Sequence, residues 1–249
     1  MILCSALAVV SVFYFLCAPA APIQSPRIVS TISVSSSAIY SPTKYTLYEN
    51  GKKTFAYRPY DSRGMVILGN ILPVPHLGIA KRIELSGYML PVLGEYITNY
   101  GIGTKVFLFD AGQYTLFRNV AVAVCGNLNK LDGEWDEMEF HQAGLIFGTR
   151  IPYEKGELEF VFIPSYFYHS TETHPGEATG IYLHEKGIDN SIGAIYWPFG
   201  DKFFQINIGL TARKAFTRET KVTWGTGNIQ SRISPFIVQG TMVFNIGEP

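Results

Sequence analysis

The chain has 249 residues, of which 47 % are hydrophobic and only 16 % are charged. A soluble domain of this size usually has about a quarter of its residues charged, so the composition predicts apolar surface that must be covered by something other than water. Lysine plus arginine and aspartate plus glutamate both total 20, and a chain without net charge has no field to attract nucleic acid. Length and balance together indicate one domain without a nucleic-acid role.

The first 20 residues have the pattern of a secretory signal peptide. They contain no charged side chain, the run from Ile2 to Cys17 is almost entirely apolar, and Ala18-Pro19-Ala20 forms a cleavage site of the A-x-A type. A single N-terminal anchor helix is the alternative, because no Lys or Arg precedes the apolar run. Cleavage after Ala20 leaves residues 21–249 as one β-barrel domain in which Cys125 is the single cysteine, so we expect no internal disulfide.

After this region the chain alternates apolar and polar residues, which is the period of β-strands. Between Phe203 and Lys214 one face carries Phe204, Ile206, Ile208, Leu210 and Ala212, and the other carries Gln205, Asn207, Gly209, Thr211 and Arg213. The sequence predicts strands near residues 27–38, 64–79, 83–93, 99–109, 115–127, 138–150, 156–169, 188–198, 202–213 and 232–246. No apolar run in this part reaches the roughly 20 residues of a membrane-spanning helix.

The connections between these strands alternate in length. Those at 39–63, 128–137, 170–187 and 214–231 are long, those at 80–82, 110–114, 151–155 and 199–201 are short, and 94–98 breaks the alternation. Tight turns at one end and long polar loops at the other are typical of outer-membrane barrels. We therefore predict an all-β fold, an up-and-down antiparallel transmembrane β-barrel of about ten strands, within about 8 to 12.

Aromatic residues are expected at both ends of this barrel, as in the interfacial girdles of membrane barrels. The short-turn end would carry Phe109, Tyr114, Phe117, Tyr153, Phe199, Phe203 and Phe244, and the long-loop end Tyr40, Tyr60, Tyr96, Tyr100, Trp135, Tyr166 and Tyr168.

Three segments resemble hairpins of small bacterial outer-membrane barrel proteins. They are residues 73–87, residues 101–126 and residues 197–203, and the first two pair Gly-bearing strands across a short turn. The likeness spans residues 73–213. It implies residence in the outer membrane, contact with outer-membrane lipid and insertion by the barrel-assembly machinery. The chain departs from this family at its end, where Phe244 is followed by Asn245-Ile246-Gly247-Glu248-Pro249 instead of closing on an aromatic residue.

The sequence predicts no catalytic, cofactor-binding or metal site. Gly-x-Ser-x-Gly and phosphate-binding Gly-rich loops are absent from the sequence, and five histidines (His76, His141, His169, His174 and His184) lack metal-site spacing. Ser165 and His169 share a strand face but would lie about 13 Å apart. Glu159 and His141 could face inward together, although an inward Glu159 with Arg150 or Lys105 is more simply a lumen salt-bridge network. Cys125 is interpreted as an inert, small apolar residue.

The leading functional hypothesis is an integral, porin-like outer-membrane barrel without enzymatic activity or cofactor. Its role would be structural, surface recognition through the loops 39–63 and 170–187, or a narrow passage for small solutes, because side chains fill a lumen of this size. One alternative is a soluble secreted β-barrel that binds an apolar ligand inside. The other is a lipid-modifying barrel enzyme.

Overall fold

The computed structural model describes residues 23–28, 30–40, 44–49, 52–57, 74–92, 97–110, 120–133, 136–153, 156–176, 179–199, 203–222, 228–232 and 236–247. The predicted signal peptide, residues 1–20, lies outside this part of the chain. The described strands are β1 (Ile32–Tyr40), β2 (Lys44–Glu49), β3 (Lys52–Tyr57), β4 (Val74–Ile79), β5 (Ile83–Val92), β6 (Ile97–Asp110), β7 (Val120–Gly133), β8 (Asp136–Tyr153), β9 (Gly156–Gly176), β10 (Thr179–Trp197), β11 (Phe204–Val222), β12 (Asn228–Arg232) and β13 (Phe236–Ile246). Among the described residues, no helix has the length and apolar character needed to span a membrane.

Ten of these strands form one closed antiparallel barrel. Their order around the cylinder is β1-β13-β11-β10-β9-β8-β7-β6-β5-β4, and β1 closes it by pairing with both β13 and β4. Neighbours in the barrel follow one another along the chain, so the topology is up-and-down. The strands β12, β2 and β3 form a separate three-stranded sheet. The predicted fold class and the count of ten barrel strands are confirmed.

The two faces of each barrel strand differ as the alternation predicts, and β11 is the clearest example. Asn207 and Thr211 face the interior and are each 1 % exposed, whereas Ile208 faces outward and is 61 % exposed. β13 alternates in the same way along its whole length, from exposed Phe236 to exposed Ile246. The apolar face of the strands is therefore the outer face of the barrel.

Every barrel strand contributes large apolar side chains to the outside. The exposed ones include Ile32 on β1, Leu77 on β4, Leu85 on β5, Ile102 on β6, Val124 on β7, Leu145 on β8, Phe162 on β9, Ile192 on β10, Leu210 on β11 and Met242 on β13. Water-soluble proteins rarely expose a continuous apolar surface of this extent. This surface, which we call the apolar belt, surrounds an interior that is mostly polar.

The strands on one side of the barrel are longer than predicted. β9 and β10 keep pairing through most of the predicted loop 170–187, and β7 and β8 pair through most of 128–137. The predictions of long loops in these two regions are therefore wrong in part. The same holds for the predicted loops 39–63 and 214–231, where β2, β3, β12 and the end of β11 lie. The reason is that backbone hydrogen bonds are enough to pair antiparallel strands, and an apolar face is not required. Polar stretches rich in Thr, Glu and His can therefore continue the sheet.

The opposite end carries tight turns and exposed aromatic side chains. Between β4 and β5, Ala80 and Lys81 have φ angles of 49° and 59°, and Arg82 N donates to Ile79 O at 3.0 Å. This is the backbone of a type I′ hairpin. Of the aromatic residues predicted for the two girdles, Phe109, Tyr153, Phe199, Phe203 and Phe244 are exposed at this end, and Tyr166 is exposed toward the other. Tyr60, Tyr96, Tyr114, Phe117 and Trp135 lie outside the described residues.

Candidate functional site

The interior of the barrel is filled, and what fills it forms the candidate site. At the short-turn end, residues 23–28 and 30, which we call the lumen segment, lie inside the barrel ahead of β1. Ile23 is 1 % exposed, a few residues in from the short-turn ends of β10 and β11. Ser30 lies nearer the entrance, with its Oγ 3.2 Å from Asn245 Oδ1. The predicted start of the first strand at residue 27 is wrong, because the chain enters the lumen here and β1 begins only at Ile32.

Glycine residues of the inner wall leave room for this segment. A Cβ atom placed on Gly193 would lie 2.7 Å from Ile23 Cγ2, and one on Gly209 would also overlap the Ile23 side chain. A Cβ on Gly148 would lie 2.7 Å from Pro26 Cδ. Because real Cβ atoms essentially never approach other atoms this closely, the segment fits only against a wall that lacks side chains at these places.

One side of the inner wall is apolar where it meets Ile23. The buried cluster contains Ile23, Ala123, Cys125, Ile146, Val161, Ile163, Ile195 and Trp197. Full burial of an isoleucine side chain stabilises by about 1.5–3 kcal/mol. Cys125, interpreted from sequence as a small apolar residue, lies in this cluster and is 2 % exposed.

The other side of the inner wall holds the backbone of the lumen segment through polar side chains. Asn207 Nδ2 donates to the carbonyl of Ile23 at 2.7 Å. Lys105 Nζ donates to the carbonyls of Ser25 at 3.0 Å and Arg27 at 3.3 Å. These contacts satisfy carbonyl groups that would otherwise be buried without partners, and they do not depend on the identity of the residue that carries the carbonyl.

The guanidinium of Arg27 lies between two carboxylates of the wall. Its Nη2 is 3.0 Å from Asp110 Oδ2, and its Nη1 pairs with Glu159, which is fully buried. Arg150 supports the same carboxylate, with its Nε 3.6 Å from Glu159 Oε2. Glu159 thus faces inward within a salt-bridge network that includes Arg150, as the sequence suggested.

Lys105 has a different acidic partner from the one considered in the sequence. Its Nζ is 2.8 Å from Glu84 Oε2, and Glu84 Oε1 is 3.0 Å from His76 Nδ1. Ser35 Oγ lies 2.8 Å from the other ring nitrogen of His76. This chain of contacts links β1, β4, β5 and β6 across the interior.

A cavity of about 40 Å³ remains between the lumen segment and the polar side of the wall. Its lining includes Gln205, Asn207, Thr241 and Asn245. A buried water needs about 10–15 Å³ by this measure, so the cavity has room for a few water molecules. This cavity is therefore too small for a solute larger than a few water molecules.

The long-strand half of the lumen contains a group of charged side chains on adjacent strands, which we call the ionic network. It consists of His169 on β9, Glu185 and Asp189 on β10, and Arg213 and Arg218 on β11. Arg213 binds Asp189 with two hydrogen bonds of 2.8 and 2.6 Å. Glu185 accepts from Arg218 at 3.3 Å and lies 3.2 Å from His169 Nδ1. Two buried carboxylates are therefore paired with the buried guanidinium of Arg213 and the more exposed guanidinium of Arg218.

Aromatic rings support the network from the neighbouring strands. The Arg213 guanidinium carbon lies 4.1 Å from the centroid of the Phe167 ring and 5.8 Å from that of Phe140. Both rings are almost fully buried. Such cation–π contacts are worth more when they are desolvated, as here.

The sequence-predicted residues fall into different places. Ser165 and His169 share the inner face, but Gln142 donates to Ser165, and His169 contacts Glu185, so the two do not act as a pair. His141 points outward and lies 2.6 Å from Glu139 Oε1, so the idea that it faces inward beside Glu159 is wrong. The register sets this, because Phe140 and Gln142 take the inward positions of β8.

Within the described residues, no group of three or more His, Cys, Asp or Glu side chains is placed to hold a metal ion.

Sequence reasoning missed the lumen segment as a functional element. Pro26 alone gave no signal against a strand, because Pro164 lies inside the paired strand β9. The buried partner of Arg27 in this segment, Glu159, is 132 residues away in the sequence, so no local pattern joins the two.

Comparison with known proteins leaves the function to be inferred from these residues. No protein-family model matches the chain, and no curated protein matches it. Among solved structures, the chain is similar to the outer membrane protease OmpT from Escherichia coli, with 11 % identity, 89 % of this chain and 96 % of that chain covered, and a TM-score of 0.36. The closed ten-stranded antiparallel barrel with an apolar belt fits the general architecture of outer-membrane β-barrels.

Proposed function

We propose that this chain is an integral outer-membrane β-barrel protein without enzymatic activity, with a lumen that is closed at rest and a role at the cell surface. The observation that carries the proposal is the apolar belt around a polar interior. Lipid is the environment in which such a surface is stable, and hydrogen bonding around a closed cylinder leaves no strand edge unpaired in it.

The outer surface changes character along the long strands. Leu145, Phe162 and Ile192 are exposed and apolar, whereas further along the same strands the outward positions hold Glu139, Ser170 and His184. A membrane-spanning strand needs about 9–11 residues, and β8 to β11 have 18, 21, 19 and 19. About half of each long strand would therefore project beyond the membrane, and this projecting sheet supports surface recognition over passage of solutes.

The soluble alternative requires an apolar interior. Most inward side chains are polar, and the apolar cluster on one side of the wall is already covered by Ile23. A soluble barrel would also leave the apolar belt in water. Both observations favour the membrane protein.

The decisive experiment is fractionation of the expressed protein. We expect it in the membrane fraction, extractable only with detergent, and expect its folded form to migrate differently on a gel before and after boiling. Recovery as a monomeric protein in buffer without detergent would contradict the proposal. N-terminal sequencing of the purified protein tests the signal peptide, since the cleavage that we propose leaves Ala21 as the first residue.

A further inference from the structure

We propose that the lumen segment is a removable plug that occupies a peptide-binding groove of the inner wall, and that the vacated groove accepts a short extended peptide in trans. The peptide class carries an apolar residue, then proline three positions later and arginine directly after it, as in Ile23-Gln24-Ser25-Pro26-Arg27. The groove lies at the short-turn end, which faces the periplasm in outer-membrane barrels, so this orientation rests on the proposed membrane function.

The groove recognises its occupant at several independent points. Asn207 and Lys105 bind backbone carbonyls of the segment, which favours any extended chain. The glycine-lined wall and the apolar cluster accept Ile23, which sets a size requirement at the first position. Asp110 and Glu159 flank Arg27, which sets a charge requirement at the fifth.

The segment can leave without dismantling the wall. None of the described residues 23–28 belongs to a strand, and the barrel is closed by the pairing of β1 with β4 and β13. The charges that bind the segment also keep partners in its absence, because Lys105 still pairs with Glu84 and Glu159 still faces Arg150. An empty groove therefore leaves no buried charge without a partner. It avoids the free-energy cost that usually follows when one partner of a buried ion pair is lost.

Cys125 offers a native reporter for the state of the groove. It belongs to the same buried cluster as Ile23, and in the chain that remains after cleavage at Ala20 it is the single cysteine. A thiol beneath the plug reacts with a water-soluble, charged maleimide only when the plug is out, so the labelling rate measures the open fraction.

The experiment compares the full mature protein with a variant that lacks residues 21–28, both in detergent micelles. We expect the folded deletion variant to label at Cys125 at least about tenfold faster than the parent. A synthetic peptide with the sequence of residues 21–28 should restore protection, whereas the same peptide with glutamate at the arginine position should not. Cys125→Ala provides the background.

Two results would overturn the proposal. One is a folded deletion variant that labels as slowly as the parent. The other is rapid labelling that the native peptide slows no more than the glutamate peptide does. If the deletion variant does not fold, the point variant Arg27→Glu in the full chain replaces it, and labelling equal to the parent then counts against the plug. Gel mobility before and after boiling reports the membrane barrel separately, so a failed plug and a failed membrane assignment give different results.

Discussion

The two halves of the lumen are closed by different means. The short-turn half is occupied by a segment that belongs to no barrel strand and is held by carbonyl contacts and by Arg27. The long-strand half is closed by side chains that arise from the wall itself and pair across neighbouring strands. The first closure can be withdrawn while every barrel strand stays paired, whereas the second can be opened only by breaking buried ion pairs.

Different side chains of the wall surround the two closures. Around the lumen segment the inner face presents Gly148, Gly193 and Gly209, and around the ionic network it presents Phe140 and Phe167. The three glycines leave room for the separate piece of chain, and the same half also contains the large side chain of Trp197, which is buried in the cluster with Ile23. In a barrel of ten strands, where side chains nearly fill the space, this complementarity decides what can enter.

The largest effect is expected from Asp189→Ala in the ionic network. It leaves the Arg213 guanidinium buried with its main partner removed, so we expect a loss of about 3–5 kcal/mol in the free energy of unfolding. Glu137→Ala is the matched control, because its pair with Lys130 is partly exposed and should cost at most about 1 kcal/mol. Urea unfolding in lipid vesicles, followed by gel mobility, measures both. Equal losses would show that the long-strand half is not closed by buried ion pairing.

Gly148→Ala tests the glycine-lined half. The added methyl group meets Pro26 and the Glu159 carboxylate, and overpacking of this kind costs about 1–3 kcal/mol. We expect Pro26→Ala to recover part of that loss, because it removes the atoms that clash. Gly240→Ala is the control, since its new atom would meet nothing closer than 3.9 Å. A loss at Gly148 that Pro26→Ala leaves unchanged would argue that the segment does not pack there.

Arg27→Ala removes a charge from the lumen segment, as Asp189→Ala removes one from the wall, but the expected cost is smaller. Asp110 is 41 % exposed at its side chain and Glu159 retains Arg150, so we expect a loss of about 1–2 kcal/mol. The labelling rate of Cys125 should rise in the same variant, while Asp189→Ala should leave it unchanged under native conditions. A cost as large as that of Asp189→Ala would remove the distinction between a separable plug and a built-in closure.

The barrel could be predicted from the sequence because its signal is local. The alternation from Phe204 to Arg213 requires only that the two faces of one strand differ in polarity. It does not depend on which strands lie beside that strand. The alternation does not show whether the apolar face of a strand points out of the barrel or into it. Ile208 and Asn207 could exchange faces without changing the pattern. The structure decides it, because Ile208 is exposed on the outside and Asn207 is buried inside.

The candidate site could be predicted only in part, because its contacts join distant parts of the chain. Arg213 was assigned to a polar face, but its pairing with Asp189 depends on the register of β10 against β11. An irregular segment such as residues 23–28 carries no period, so its place in the lumen is fixed by tertiary contacts alone. The sequence does not predict the extension of β9 and β10, because the residues there are mostly polar. Without a continuous apolar face, no alternation marks them as strand.

The smallest expected effect lies outside both halves, in the turn between β4 and β5. Lys81 has a φ angle of 59°, a conformation that costs a residue with a Cβ about 1–2 kcal/mol more than it costs glycine. Replacing Lys81 with glycine removes this cost, but glycine also has more conformational freedom in the unfolded chain, which offsets part of the gain. Lys81→Gly should therefore stabilise the barrel by about 0.5–1 kcal/mol. The same urea titration measures it, with Lys81→Ala as the control that keeps the Cβ. Because this turn touches neither closure, the labelling rate of Cys125 should stay at the parent value, and a change in that rate would mean that wall stability and the plug are coupled.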